Sequence, residues 1–267
     1  MKTKKKSLKF QNAFSAYVIP ISLVVSILVF VFIMGAPGNF QGNNSHNAPI
    51  PGNFLGVIYR GGFVVPIIMT LLLIVMSFSL ERYFTISKAR GKGSAVDFVE
   101  SIKEYLAENN IQGAIAACDS FQGSIANVSK AALIKYTQLE KDTSMSKDQK
   151  LLDIQKNIEE ATSLELPSLE QNLPALATIS SVATMMGLFG TVLGMIRSFA
   201  AMANAGAPDS VALSTGISEA LINTAFGIGT GALAVVMYNY FTTKIDKLTY
   251  SIDEAGFSIV QTFASKH

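Results

Sequence analysis

The chain has 267 residues, of which 49% are hydrophobic and 15% charged, with a mean hydropathy of +0.37. Soluble domains average about 25% charged residues, so one or two ordinary globular domains are excluded. The net charge of +2 argues against a nucleic-acid surface, the single Cys118 excludes an intramolecular disulfide, and two histidines (His46 and His267) leave little for a metal centre or His-based catalysis.

Residues 1–13 form a basic terminus with Lys2, Lys4, Lys5, Lys6 and Lys9. Residues 14–34 carry no charge within the apolar stretch, and a helix needs about 20 such residues to cross the hydrocarbon core. The stretch is long for a signal peptide, and "FIMGAPG" is a poor cleavage site, so it reads as a retained anchor. Residues 35–56 contain no Lys, Arg, Asp or Glu. Their Gly, Asn and Pro content suggests a flexible outer loop, with His46 solvated. Residues 57–80 are a second span, edged by Arg60 and followed by Glu81 and Arg82.

Residues 81–172 hold most of the charge, and their apolar residues recur every three to four positions, the mark of amphipathic helices. Val96, Val99, Ile102 and Leu106 form one stripe. Ile125, Val128, Ala132, Leu133, Tyr136 and Leu139 form another, and Leu151, Ile154, Ile158, Ala161 and Leu164 a third. Cys118 reads as a small core residue. Residues 173–203 are a third span containing only Arg197, with Pro167 and Pro174 placed to kink its inner end. Residues 204–216 are a second outer loop, 217–241 a fourth span containing only Glu219, and 242–267 a helical tail with a stripe of Ile245, Leu248, Ile252, Ile259 and Phe263. The distribution of Lys and Arg puts both termini and the 81–172 segment in the cytoplasm and both loops outside. There is no Trp, so Tyr17, Tyr59, Tyr83, Tyr238 and Tyr240 supply the interfacial aromatics. The expected fold is all-α: a polytopic membrane protein with four transmembrane helices, the last two extended into the cytoplasm, plus a helical cytoplasmic segment.

A charge at the centre of a span costs roughly 2.5–3.5 kcal/mol on insertion scales. Such residues face a protein interior or a hydrated cavity. Folding the third and fourth spans back about residue 208 sets Arg197 level with Glu219 and Thr191 level with Thr224. Two readings of the charge pair stand: a lock between helices or subunits, or part of an ion path. Thr184, Thr191 and Ser198 recur every seven residues with Gly187 and Gly194 between them, while Glu219, Asn223 and Thr230 share a face beside Thr224, Gly227 and Gly231. Gly190-x-x-x-Gly194 and Gly227-x-x-x-Gly231 suit close helix approach. The hydroxyl row suits a narrow hydrated path.

The segments "MMGLFGTVLGMIRSFAAMA" (Met185 to Ala203) and "GISEALINTAFGIGTGALAVVMYNYF" (Gly216 to Phe241) resemble the two signature spans of the ExbB/TolQ/MotA proton-channel family, with ExbB the nearest type. The resemblance implies a homopentamer in the bacterial inner membrane around a dimer of single-span ExbD-like subunits. Proton flow would then drive work passed through a TonB-like protein to outer-membrane transport. It maps the pore-facing threonines onto Thr191 and Thr224 and the intramembrane glutamate onto Glu219. The titrating aspartate would belong to the partner, and no cofactor or metal is implied. The extra first span departs from the three-span family plan, and Asn223 stands where the family usually has a small residue. A TolQ-like role, or a non-conducting scaffold that clamps a partner helix, are the alternatives. An enzyme is not expected, because no span contains His, Cys or Asp.

Overall fold

The computed structural model describes residues 2–45, 47–203 and 210–266. His46, His267 and the 204–209 part of the expected second loop lie outside them. Nine α-helices account for most of the described chain: α1 (Lys2–Leu28), α2 (Phe54–Tyr59), α3 (Val64–Ala89), α4 (Ala95–Ala107), α5 (Ile111–Phe121), α6 (Gly123–Glu140), α7 (Lys147–Glu170), α8 (Leu173–Ala203) and α9 (Ser210–Lys266). No strand occurs among the described residues, only one isolated bridge between Phe40 and Pro49. Among the described residues, four helical stretches are long and apolar enough to cross a membrane, and each overlaps one of the four nearly charge-free tracts. The protein is an all-α polytopic membrane protein. It divides into two compact units: residues up to Leu80 with Pro174–Tyr238, and Glu81–Leu173 with the remainder of α9.

In the first unit, the apolar window of α3 is half buried, against 17% for the first span, so α3 is the inner helix and α1 the peripheral one. A three-way polar contact docks α1 on α3. Ser26 Oγ and Thr70 Oγ1 hydrogen-bond to each other at 2.7 Å, and the Pro66 carbonyl, 2.9 and 2.7 Å from them, accepts the remaining proton. Membrane helices have little hydrophobic drive to associate, so such contacts and close packing do the docking. Pro66 sits in the first turn of α3, where a missing N–H breaks no helical bond. The first span ends in a π-helical stretch, Val29–Met34.

The segment after it has more order than its composition suggests. Asn39 Nδ2 donates to the carbonyls of Ile33 and Met34 at 2.7 and 2.9 Å, satisfying the helix end. Phe40 is buried and meets Tyr59 edge-on at 5.6 Å, while Tyr59 stacks on Phe30 at 4.7 Å. Asn53 caps α2 and donates to Asn39 Oδ1 at 3.0 Å. Arg60 donates to the Asn47 carbonyl and lies over the Phe40 ring. The Asn and Pro residues that suggested mobility are here used as caps and turns.

Close approach of α8 and α9 forms the rest of this unit. A Cβ on Gly187 would sit 3.0 Å from Gly227 Cα, and one on Gly194 would sit 2.7 Å from Ala220 N. The two backbones touch, which only small residues permit.

The second unit is a helical bundle with a conventional apolar core. Ser94, Asn110 and Ser146 cap α4, α5 and α7, the last in a capping box with Gln149. The α6 stripe from Ile125 to Leu139 and the tail stripe from Ile245 to Phe263 are buried as patterned. Tyr136 and Phe263 meet edge-on at 4.8 Å. Two stripes are shifted. In α4, Val96 is exposed and Phe98 takes the inner place, stacked on Phe121 at 4.2 Å. In α7, Leu164 is exposed and Glu165 is buried, accepting from Ser124 Oγ at 3.1 Å and Asn127 Nδ2 at 3.3 Å. A stripe read at fixed spacing drifts where a satisfied polar group can replace an apolar one.

The helix leading into the third span is interrupted at Gln171–Asn172, where Asn172 takes φ 67° and Pro174 follows. This left-handed residue is a common helix stop. Pro167 lies inside α7 instead of ending it. Arg82, which the charge pattern marked only as a cytoplasmic flank, is fully buried. Its Nη1 donates to the Ser168 and Leu169 carbonyls at 3.0 Å each, capping the end of α7. Its Nε and Nη2 bind Glu81 at 2.6 and 2.5 Å, and Glu81 also accepts from Thr85 and Asn172.

Candidate functional site

The polar residues of the last two spans come together within the first unit. Arg197 Nη1 lies 2.6 Å from both Glu219 oxygens, so the pair forms within one chain. The two ends differ in environment. The Arg197 side chain is 55% exposed and that of Glu219 only 3%. The pair thus presents a cationic face while hiding the carboxylate.

Further along the same helices, the Thr191 and Thr224 hydroxyls hydrogen-bond to each other. The Gly187 carbonyl lies 3.1 Å from the Thr191 hydroxyl and the Ala220 carbonyl 3.0 Å from that of Thr224, so one of the two protons closes the pair and the other goes to a carbonyl. Each hydroxyl is therefore satisfied without water and each residue is half-buried. Thr224 is five residues past Glu219, about 7.5 Å along the helix axis. Thr184 is half-buried as well and donates back to the Ser180 carbonyl at 3.0 Å.

Two of the residues expected to line a path are enclosed by the chain's own helices. Ser198 is 1% exposed and donates to the carbonyls of Gly194 and Leu213. Asn223 is fully buried and donates from Nδ2 to the Gly61 carbonyl at 2.9 Å. Gly190 explains how Asn223 fits: a Cβ there would lie 2.7 Å from Asn223 Nδ2. Gly190 therefore makes room for a side chain, whereas Gly187, Gly194 and Gly227 let backbones meet. Gly231 lies against the Ser180 carbonyl and the Thr184 hydroxyl.

Sequence reasoning did not single out Gly61 and Gly62, the turn that leads into α3. Gly62 has φ +71°, and a Cβ on it would stand 2.5 Å from Glu219 Oε1 and 3.5 Å from Arg197 Nη1. Both the backbone angle and the carboxylate require glycine here. The Gly-Gly pair just ahead of an apolar stretch was the available signal.

Among the described residues no group of His, Cys, Asp and Glu could hold a metal ion. The assembly of a half-buried hydroxyl pair, an intramembrane ion pair and glycine-tight helices defines a class: a membrane protein whose last two spans carry a cluster of interacting polar residues. Residues 125–254 match the model of the MotA/TolQ/ExbB proton channel family. The chain is similar to the Tol-Pal system protein TolQ of Pseudomonas aeruginosa, 32% identical over 124 residues, which is 46% of this chain and 54% of that one. It is similar to the biopolymer transport protein ExbB of Pseudomonas putida, 38% identical over 85 residues, 32% of this chain and 26% of that one. A putative ExbB homolog of Methanothermobacter thermautotrophicus is 25% identical over 200 residues, 73% of this chain and 66% of its own. The chain thus matches about half or less of the length of the TolQ and ExbB proteins. These matches support the ExbB/TolQ/MotA family for this chain, the family its last two spans resemble.

Proposed function

We propose that the chain is a subunit of a proton-driven motor in the bacterial inner membrane, of the ExbB–ExbD–TonB type. One observation carries the reading: a half-exposed Thr191–Thr224 hydroxyl pair lies on the same two spans as the Arg197–Glu219 pair. Hydroxyls on an otherwise apolar face offer a proton or its water a place to bind weakly and leave again. Thr184 extends that face. Glu219, paired with Arg197, lies beside that face. Ser198 and Asn223 are enclosed and support the helices instead of lining the path.

The homopentamer, the ExbD-like single-span dimer and the TonB-like protein belong to this proposal, as do cytoplasmic termini, which rest on the charge distribution. A TolQ-like role is the second reading, favoured by the 124-residue similarity to TolQ. Co-purification separates the two: an ExbD-like and TonB-like pair supports the first, a Tol-Pal set the second.

The function itself is tested by Thr191→Val with Thr224→Val. Valine keeps the volume and removes both hydroxyls. Proton flux into liposomes holding the chain with its single-span partner should fall to background, while the complex still assembles. Full flux in the double variant would remove the pore-lining role, and no flux in the unaltered complex would favour a non-conducting scaffold.

A further inference from the structure

Asn223 is an expensive residue for its place. Its side chain is wholly buried within a spanning helix, its Nδ2 is spent on the Gly61 carbonyl, and its Oδ1 is buried with no hydrogen-bond partner among the described residues. Burying a polar atom without a hydrogen bond is costly, and a leucine, with the same branched heavy-atom skeleton, would avoid that cost. Helix packing alone does not account for it.

The position of Gly61 supplies the reason. Its carbonyl belongs to the turn between α2 and α3, and the next residue, Gly62, lies directly against the Glu219 carboxylate. We propose that Asn223 is a positioning residue. It ties this turn to α9, and the turn, through Gly62, holds Glu219 under Arg197. The chain of contacts is continuous: Asn223 Nδ2 to Gly61 O, the peptide to Gly62, and Gly62 to Glu219 Oε1. Gly190 is the space that allows it. The inference deepens the proposed function, but its test does not require proton flux.

The reporter is the guanidinium that Glu219 engages. The chain has four arginines, Arg60, Arg82, Arg90 and Arg197. Arg90 is exposed and serves as the internal standard. The full-length chain in detergent is treated with phenylglyoxal, and modification of Arg197 relative to Arg90 is followed by mass spectrometry. Glu219→Ala sets the rate for a released guanidinium. Asn223→Leu removes the tie and keeps the branched side-chain skeleton. Gly62→Ala keeps the Asn223 side chain and presses on both the carboxylate and the turn, whose φ at this position is +71°. Thr70→Val removes a hydrogen bond of the same unit away from the pair.

Asn223→Leu and Gly62→Ala should each raise the Arg197 to Arg90 ratio roughly three- to tenfold, the factor one neutral hydrogen bond carries, toward the Glu219→Ala value. Thr70→Val should not. Ratios unchanged in both test variants overturn the proposal, and so does an equal rise in Thr70→Val, which would mean general loosening. Should one test variant lose its helical circular dichroism, the other decides. A raised ratio in a chain whose complex carries no proton flux leaves the positioning role in place and removes the motor reading.

Discussion

Removing Arg197 exposes an asymmetry built into the ion pair. In Arg197→Ala the Glu219 carboxylate, 3% exposed, loses its hydrogen-bonding partner among the described residues. Breaking a buried pair from one side typically costs about 3–5 kcal/mol. The guanidinium is 55% exposed, so water already screens part of the attraction. That brings the cost to about 2 kcal/mol, or roughly 4–8 °C in melting temperature for a chain of this size. Glu219→Gln leaves only a half-hydrated guanidinium behind and should cost under about 1 kcal/mol. In the Glu219→Gln background, Arg197→Ala should then be nearly silent, because no buried charge remains to strand. The assay is a double-mutant cycle on thermal unfolding in detergent, read by loss of helical circular dichroism. If Arg197→Ala lowers the melting temperature equally with and without the Glu219 charge, the two side chains are energetically independent and the reasoning fails.

Other features give independent expectations. Gly187→Val would drive a side chain into the Asn223 carbonyl and Gly227 Cα, 2.9 and 3.0 Å from the first added carbon, and should cost about 1–3 kcal/mol by overpacking; unchanged stability in detergent would mean the helices separate freely. Arg82→Leu strands Glu81 and uncaps the Ser168 and Leu169 carbonyls, so unit stability should fall by about 3–5 kcal/mol, read by limited proteolysis near residue 170. Burial first, then Asp119, pushes the Cys118 thiol from 9.0 up to about 12. The folded state therefore favours the neutral thiol, a contribution complete below pH 9 and lost as pH rises toward 12. Accordingly, Cys118 should resist maleimide at neutral pH until the chain is unfolded, and rapid labelling of the native chain would contradict its burial.

The register between the last two spans was legible by counting, since Arg197 meets Glu219 and Thr191 meets Thr224. Helical rise is constant, so two antiparallel helices around a short turn align from sequence numbers alone. The α6 and tail stripes were legible for the same reason of period. What counting cannot see is a contact made by backbone. Gly61 and Gly62 belong to no periodic stripe, yet Gly62 walls the ion pair and the Gly61 carbonyl holds Asn223. Arg82 misled in another way: its charge fits the positive-inside pattern, while its role is to cap a helix arriving from 86 residues away. Glu165 and Leu164 exchanged expected places because hydrogen bonds from Ser124 and Asn127 make a carboxylate acceptable inside.

Backbone contact between Gly187 and Gly227 leaves no spare volume along the seam of α8 and α9. A conduit cannot open there without prising two membrane helices apart at their tightest point. In the proposed motor, a proton moving along the threonines would travel on the outer surface of this helix pair, a surface that lipid would flood in an isolated chain. Conduction, in that proposal, is a property that no single copy can possess; it needs other polypeptides beside the threonines.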